Sequence, residues 1–209
     1  MKITVFGATG MVGKYIINEA IGRLHSVRAF GRNVYEALST ERTHLELFKG
    51  YLFSENDIKD ALKGTDAVLS AIGGSVDGTD KARSIGMKKI VSVMEKHGPK
   101  RIIAIGGIGV LNADEQTYIF QTPDFPKQFL PVTNEHFAAY LCLANSSLDW
   151  TLLCPPDIIN AGPTGEYSLN RNYPAEGQFR INAGDLADFM VKELENNEFQ
   201  KCRVGIATI

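Results

Sequence analysis

The chain predicts an α/β fold: one domain built on a mostly parallel sheet covered by helices. Short β-rich apolar runs alternate with longer segments of helical period along the whole sequence, the pattern of strand–helix–strand units. The run Ala67-Val68-Leu69-Ser70-Ala71-Ile72 is nearly all apolar, as a strand buried on both faces is. The length of 209 residues fits one domain, large enough to bury roughly 70% of its unfolded surface without a metal or disulfide staple.

Taken in order, the first strand is 3–6, followed by a glycine-rich turn and a helix over about 11–20. Val12, Ile16, Ile17, Ala20 and Ile21 share one face of that helix. Gly22 is placed to stop it. Strands at 27–30 and 45–48 come next, then a short helix at 57–63 ending at Gly64. The apolar strand 67–72 leads to a long helix over 80–97, stopped by Gly98-Pro99, and to a strand at 101–105. Residues 106–131 hold three glycines and three prolines and read as a long loop; a loop of that length in a compact domain usually serves function. A helix over 134–145, a strand at 150–154 closed by Pro155-Pro156, an irregular Gly/Asn/Pro-rich segment at 159–178, a helix over 185–196 and a strand at 203–206 complete the chain.

Charge and cysteines exclude several classes. Lys plus Arg total 22 and Asp plus Glu 24, a net charge of −2, which argues against a nucleic-acid partner. Cys142, Cys154 and Cys202 fit neither a disulfide framework nor a zinc motif, and no metal is expected. No stretch reaches the ~20 apolar residues of a membrane span, and the first residues are too short an apolar run for a signal peptide. A soluble cytoplasmic protein with no membrane partner is the expectation. The basic residues of the long helix, Lys81, Arg83, Lys88, Lys89 and Lys96, read as a solvated face, and His25, His44 and His97 as surface residues near element ends.

The informative motif is Gly7-Ala8-Thr9-Gly10-Met11-Val12-Gly13, set between an apolar strand and an amphipathic helix. Such a turn places a pyrophosphate at a helix N-terminus, where free N–H groups and the dipole favour negative charge. Gly7 allows the tight turn, Gly10 lets backbone approach the phosphates, and Gly13 lets the helix pack closely on the sheet. NAD-selective sites place an acid roughly 20 residues further on. Here the second strand ends Phe30-Gly31-Arg32-Asn33, with no acid. A guanidinium at Arg32 can pair with a 2′-phosphate, each charge-assisted bond being worth about 1.5–3 kcal/mol. The expected cofactor is therefore NADP, as NADPH, rather than NAD.

These residues, together with Asp66-Ala67-Val68, Ser147-Leu148-Asp149-Trp150-Thr151 before Pro155-Pro156, and Asn182-Ala183-Gly184-Asp185-Leu186-Ala187, make a set that resembles the atypical short-chain dehydrogenase/reductases. Within them the chain is most similar to the NAD(P)H-binding, NmrA-like group and its biliverdin reductase B/flavin reductase-like branch. The resemblance covers almost the whole chain. It implies a Rossmann-like, doubly wound sheet with NADP across the carboxyl ends of the strands. By position, Thr9, Gly10, Met11 and Val12 would cradle the phosphates, Arg32 the 2′-phosphate and the backbone of Leu52 the adenine, with Gly7 and Asn33 also among the cofactor-binding residues. The family's Asp beside Leu52 is Tyr51 here. Ala71, Ile72 and Gly73 would line the path to the nicotinamide, flanked by Pro155, Pro156 and Asp157, with the segment at about 155–180 adding to the substrate cleft. Relatives of this size imply a monomer or weak dimer.

The wider superfamily's Tyr-x-x-x-Lys acid/base pair is missing. Tyr15, Tyr35, Tyr51, Tyr118, Tyr140, Tyr167 and Tyr173 are followed four positions later by Glu19, Ser39, Glu55, Thr122, Ala144, Arg171 and Gly177. Gly106 and Gly107 stand where many relatives carry serines. Alcohol oxidation and sugar epimerisation need a positioned base. Hydride transfer to a conjugated acceptor proceeds largely by positioning. The expectation is an NADPH-dependent oxidoreductase acting on a small-molecule acceptor such as a flavin or quinone. The alternatives are a non-catalytic NADP-binding redox sensor and, last, a sugar-nucleotide epimerase or dehydratase. Candidate proton donors are His136 and Tyr140, four apart on one helix, and Tyr118 in the long loop.

Overall fold

A computed structural model describes residues 1–39 and 42–209. Its centre is an eight-stranded sheet in the order β3-β2-β1-β4-β5-β6-β10-β8. The strands are β1 (Lys2–Phe6), β2 (Ser26–Gly31), β3 (Leu45–Lys49), β4 (Ala67–Ser70), β5 (Arg101–Ile105), β6 (Asp149–Cys154), β8 (Tyr167–Arg171) and β10 (Cys202–Thr208). Seven of them run parallel, and β8 lies antiparallel on the edge against β10. A separate parallel pair joins β7 (Asp157–Ile159) to β9 (Arg180–Asn182).

The sheet is doubly wound because successive side chains on a strand point to opposite faces. Ile3, Val5, Leu69, Ile103 and Leu153 enter the core layer beneath α1 (Met11–Gly22) and α6 (Ala183–Asn196). Phe6, Val68, Ile102, Ala104 and Leu152 enter the opposite layer, beneath α3 (Glu55–Ala61), α4 (Ala82–His97) and α5 (Leu130–Ala144). A short α2 (Val34–Ala37) follows β2. Both faces are covered, so the central strands are largely apolar, with Thr4, Ser70 and Thr151 buried among them. Among the described residues no helix is long and apolar enough to cross a membrane.

Several details differ from the sequence reading. Gly22 lies in the last turn of α1 rather than beyond it, and Leu24, at φ 63°, makes the left-handed exit. α5 begins at Leu130, four residues early, because Pro131 sits in its first turn, where no N–H is needed. β4 stops at Ser70, leaving Ala71, Ile72 and Gly73 as loop. The segment 159–178 carries β8, an exposed edge strand whose polar residues mask its period, and part of β7. His25 is buried, 3.0 Å from Glu195 and 3.3 Å from the N-terminal amine. The three cysteines are unpaired, Cys154 and Cys202 buried and Cys142 half-buried.

The loop 106–131 is folded rather than loose. It holds three 3-10 turns and an antiparallel bridge between Asn112 and Tyr118. Arg203 of β10 pins it down, donating to the Val110 carbonyl and to Asn112 Oδ1. The same guanidinium lies 5.0 Å from the Tyr118 ring centre and 4.9 Å from that of Tyr140.

Candidate functional site: a glycine turn and an apolar cavity at the carboxyl end of the sheet

The three glycines of the first turn do different work. Gly7 adopts φ +76°, and a Cβ there would stand 2.2 Å from the Ala71 carbonyl oxygen. A Cβ on Gly13 would stand 2.1 Å from the Gly7 carbonyl oxygen, so α1 rides directly over the turn. Packing alone explains both. Gly10 is different: a Cβ there would meet only the Gly7 oxygen, at 3.3 Å, and otherwise enter open space. Gly10 N–H donates to the Gly7 carbonyl at 3.0 Å and closes the turn.

Gly10 is also the N-cap of α1, which has no side-chain cap and no acid in its first turn. The first N–H groups of a helix have no partner within it, and here no capping side chain or first-turn acid competes for them. Arg32 lies at the end of β2, beside the turn: a Cβ on Gly31 would stand 3.6 Å from the Thr9 methyl. Arg32 and Asn33 are exposed, and among the described residues Arg32 forms no hydrogen bond or ion pair. An open Gly10 and an uncapped helix end fit the pyrophosphate of a dinucleotide, and Arg32 stands unpaired beside them. Gly73 opens onto the same end of the sheet, with no atom near its Cβ direction. Leu52 packs its side chain onto α4 at Gly86, while Tyr51 is exposed.

The loop after β4 is held in place by charge. Arg83 donates to the Gly74 and Ser75 carbonyls, both at 3.0 Å, and the Ser75 N–H donates to Asp80 Oδ2 at 2.7 Å. Arg83 therefore departs from the solvated-face reading of its helix. Glu135 of α5 accepts from Ser84 Oγ at 2.5 Å and pairs with Lys81 at 2.9 Å. Burial pushes the Glu135 carboxyl up, but those hydrogen bonds outweigh it and hold it below its ordinary value.

Beyond β5 and β6 lies a cavity of about 610 Å³. Its walls come from the loop 106–131, the start of α5, the Cys154-Pro155-Pro156-Asp157 exit of β6, residues 174–179 and the end of β10. His136 lines it; Tyr118 and Tyr140 do not. Those two tyrosines belong to an aromatic cluster with Phe120, Phe137 and Trp150 around Arg203, and their role there is to fix the loop. Burial holds the Tyr140 phenol above its ordinary value, against the pull of Arg203.

His136 and Tyr140 thus diverge although four apart. The His136 ring sits against Gly107, whose missing side chain makes room for it: a Cβ there would be 3.1 Å from His136 Cδ2. Burial, reinforced by the charge of Arg83 and opposed by Glu135, drives the His136 pKa down to about 3. At neutral pH it is an uncharged imidazole that can donate or accept one hydrogen bond, not an imidazolium acid. The Cys154 thiol is pushed up by burial and stays protonated, so it is not a nucleophile. Among the described residues no group of His, Cys, Asp or Glu is arranged to hold a metal. Sequence reasoning missed Phe125, Phe129 and Phe179 on the cavity wall, since isolated phenylalanines in irregular segments carry no spacing signal.

Comparison with known proteins agrees with this geometry. The profile of the NAD(P)H-binding family matches residues 7–197, from the first glycine of the turn to the end of α6. The Bacillus subtilis protein YwnB, described as uncharacterized, is 30% identical across the whole of this chain and 99% of its own. A crystal structure from Streptococcus pneumoniae, provisionally described as an NADH-flavin reductase, is 30% identical, covers both chains fully and superposes with a TM-score of 0.86. A Bacteroides thetaiotaomicron structure, provisionally described as an epimerase, is 26% identical over 100% of this chain and 97% of its own, with the same TM-score of 0.86. The family match begins at the turn whose geometry suits a dinucleotide and runs the length of the doubly wound sheet: the chain belongs to the NAD(P)H-binding family.

Proposed function

We propose that this protein is an NADPH-dependent reductase that passes reducing equivalents to a flat conjugated acceptor such as a flavin or quinone. The observation that carries the proposal is the pairing of an open glycine turn with an apolar cavity at the same end of the sheet, the cavity's only acidic side chains among the described residues, Asp124 and Asp157, being exposed. Met11, Val12 and Gly10 would hold the phosphates, Arg32 the 2′-phosphate, and Pro155 and Pro156 the nicotinamide side of the site. When bound, NADPH supplies a hydride.

The chain's own contribution is positioning and exclusion of water. Pro155 and Pro156 present rigid apolar surface and lack N–H groups. Ile108 N–H donates to the Pro155 carbonyl at 3.1 Å, and Gly106 N–H to the Leu153 carbonyl at 2.7 Å, so the cavity floor is tied to β6. Neutral His136 offers one hydrogen bond to an acceptor heteroatom without placing a charge in an apolar site, where an unpaired charge is costly. The proton reaches the reduced acceptor from solvent. Two carboxylates at the rim, Asp124 and Asp157, are exposed to water.

The epimerase reading of one neighbour needs a positioned base, and neither Tyr-x-x-x-Lys nor a basic histidine is present among the described residues of the cavity. A sensor that binds NADP without chemistry shares the turn and differs only in turnover. The protein is proposed to act as a monomer or weak dimer in the cytoplasm. Steady-state oxidation of NADPH with a panel of flavins, quinones and tetrapyrroles decides between reductase and sensor. The reductase gives acceptor-dependent NADPH loss. Cofactor-induced stabilisation of about 2.7 kcal/mol at a hundredfold excess over Kd, with no turnover on any acceptor, identifies the sensor.

A further inference from the structure

The mouth of the cavity is built from aromatic rings that water still reaches. Phe129 is 49% exposed and Phe179 is 66% exposed, and both line the cavity although they belong to segments far apart in the chain. Phe125 lies on the same wall. Exposed aromatic surface is costly at roughly 25 cal/mol per Å². Rings gathered at one opening offer faces on which a planar conjugated system stacks.

The charged side chains on the wall itself are of one sign. Among the described residues no lysine or arginine lines the cavity; the acidic side chains on its wall are Asp124 and Asp157, both exposed. Arg83, whose charge is felt at His136, spends its two Nη groups on the Gly74 and Ser75 carbonyls. α5 begins at the cavity, yet it grows out of a 3-10 turn (Lys127–Phe129) and carries Pro131 in its first turn. It therefore offers fewer free N–H groups to an anion than the uncapped α1 does. A phosphate monoester brings a charge of about −1.5 to −2 and would meet two carboxylates and no cation on the wall itself; the exposed Lys127 and Arg180 stand beside lining residues in the chain but are not on the wall.

We propose that this cavity selects an uncharged planar acceptor, an unphosphorylated isoalloxazine, over its phosphorylated form, with Phe129 and Phe179 gripping the ring system and Asp124 and Asp157 setting the charge preference. The proposal deepens the reductase reading and rests on it for the word acceptor; the binding preference itself stands on the cavity alone.

Riboflavin and FMN differ only by the phosphate, so they isolate the effect. Each is titrated into the protein by quenching of flavin fluorescence, both cofactor-free and loaded with oxidised NADP, which cannot react. Riboflavin is expected to bind about tenfold or more tightly than FMN, a difference of about 1.4 kcal/mol. The double variant D124N/D157N narrows the ratio to within about threefold, because two like charges are removed. Phe179→Ala weakens both ligands by about threefold to tenfold through loss of one stacked face. All three side chains are exposed, so the variants keep the fold. FMN binding as tightly as riboflavin, a ratio untouched by D124N/D157N, or no riboflavin binding overturns the proposal. Failure of NADPH itself to bind sinks the reductase reading instead, and the cofactor-free titration still decides this one.

Discussion

In the proposed site, Arg32 is the residue on which cofactor choice would turn. It is exposed, unpaired among the described residues and next to the glycine turn through Thr9. Arg32→Asp reverses the charge offered to a 2′-phosphate, so NADP is expected to bind tenfold or more weakly while NAD changes little; calorimetric titration of both cofactors checks this, and parallel losses would contradict it. Gly10 and Gly13 separate ligand from scaffold. Gly13→Ala pushes a methyl into the Gly7 carbonyl, which cannot yield without moving the turn, and is expected to cost about 1–3 kcal/mol of stability. Gly10, at φ −75° with open space beside it, tolerates alanine in the fold but loses close approach of the phosphates. Denaturant unfolding and NADP titration of the two variants should therefore give opposite profiles. His136 adds a pH signature. Its folded pKa of about 3 lies below the ordinary ~6.5 of the unfolded chain, so the unfolded state binds the extra proton between those values. Its contribution to stability is complete above about pH 6.5 and is lost as pH falls toward 3. His136→Leu should flatten part of the acid limb of stability measured by urea unfolding across that window.

At the scale of elements, the loop 106–131 is tied to the sheet by one distant side chain. Arg203 bridges β10 to Val110 and Asn112 and lies against Tyr118 and Tyr140. Arg203→Met keeps much of the volume but removes those interactions. It is expected to cost about 2–4 kcal/mol and to speed amide hydrogen exchange in 106–131 ahead of the central strands. The same elements show what a sequence exposes and what it hides. The apolar strands β1, β4, β5 and β6 and the glycine turn are legible because burial on two faces and a left-handed turn restrict residue type strongly. β8 is not, because a half-exposed edge strand such as Tyr-Ser-Leu-Asn-Arg needs little beyond backbone pairing. β7 and β9, three residues each, are too short to show a period. For the site, the cofactor half lies in one contiguous motif and one strand end. The cavity half comes from five separate segments brought together only by the fold, which is why spacing points to His136 without its neutral state and does not point to the phenylalanines at all. Tyr140 is as suitable as His136 by spacing, and Tyr118 is suggested by its place in the long loop, yet the cluster around Arg203 claims both tyrosines.

Over the whole molecule, two half-sites share the carboxyl end of one sheet. The β1–α1 turn is polar, open and suited to an anion. The region past β5 and β6 is apolar and enclosed by a loop, a helix start and the last strand. Between them, β4 ends early and leaves Ala71, Ile72 and Gly73 as the connecting surface. This division suits a bound dinucleotide at one end and a planar acceptor at the other, with the chain supplying geometry rather than acid/base groups. A near-zero net charge of −2 is compatible with an anionic cofactor because, in the proposed site, one helix terminus and one arginine would carry its recognition. The most direct test is an anaerobic single-turnover experiment: protein loaded with stoichiometric NADPH is mixed rapidly with riboflavin or a neutral quinone, and absorbance of the reduced nicotinamide is followed. The account predicts protein-dependent loss of that absorbance with matching reduction of the acceptor. Firmly bound NADPH that persists unchanged beside every acceptor would contradict it.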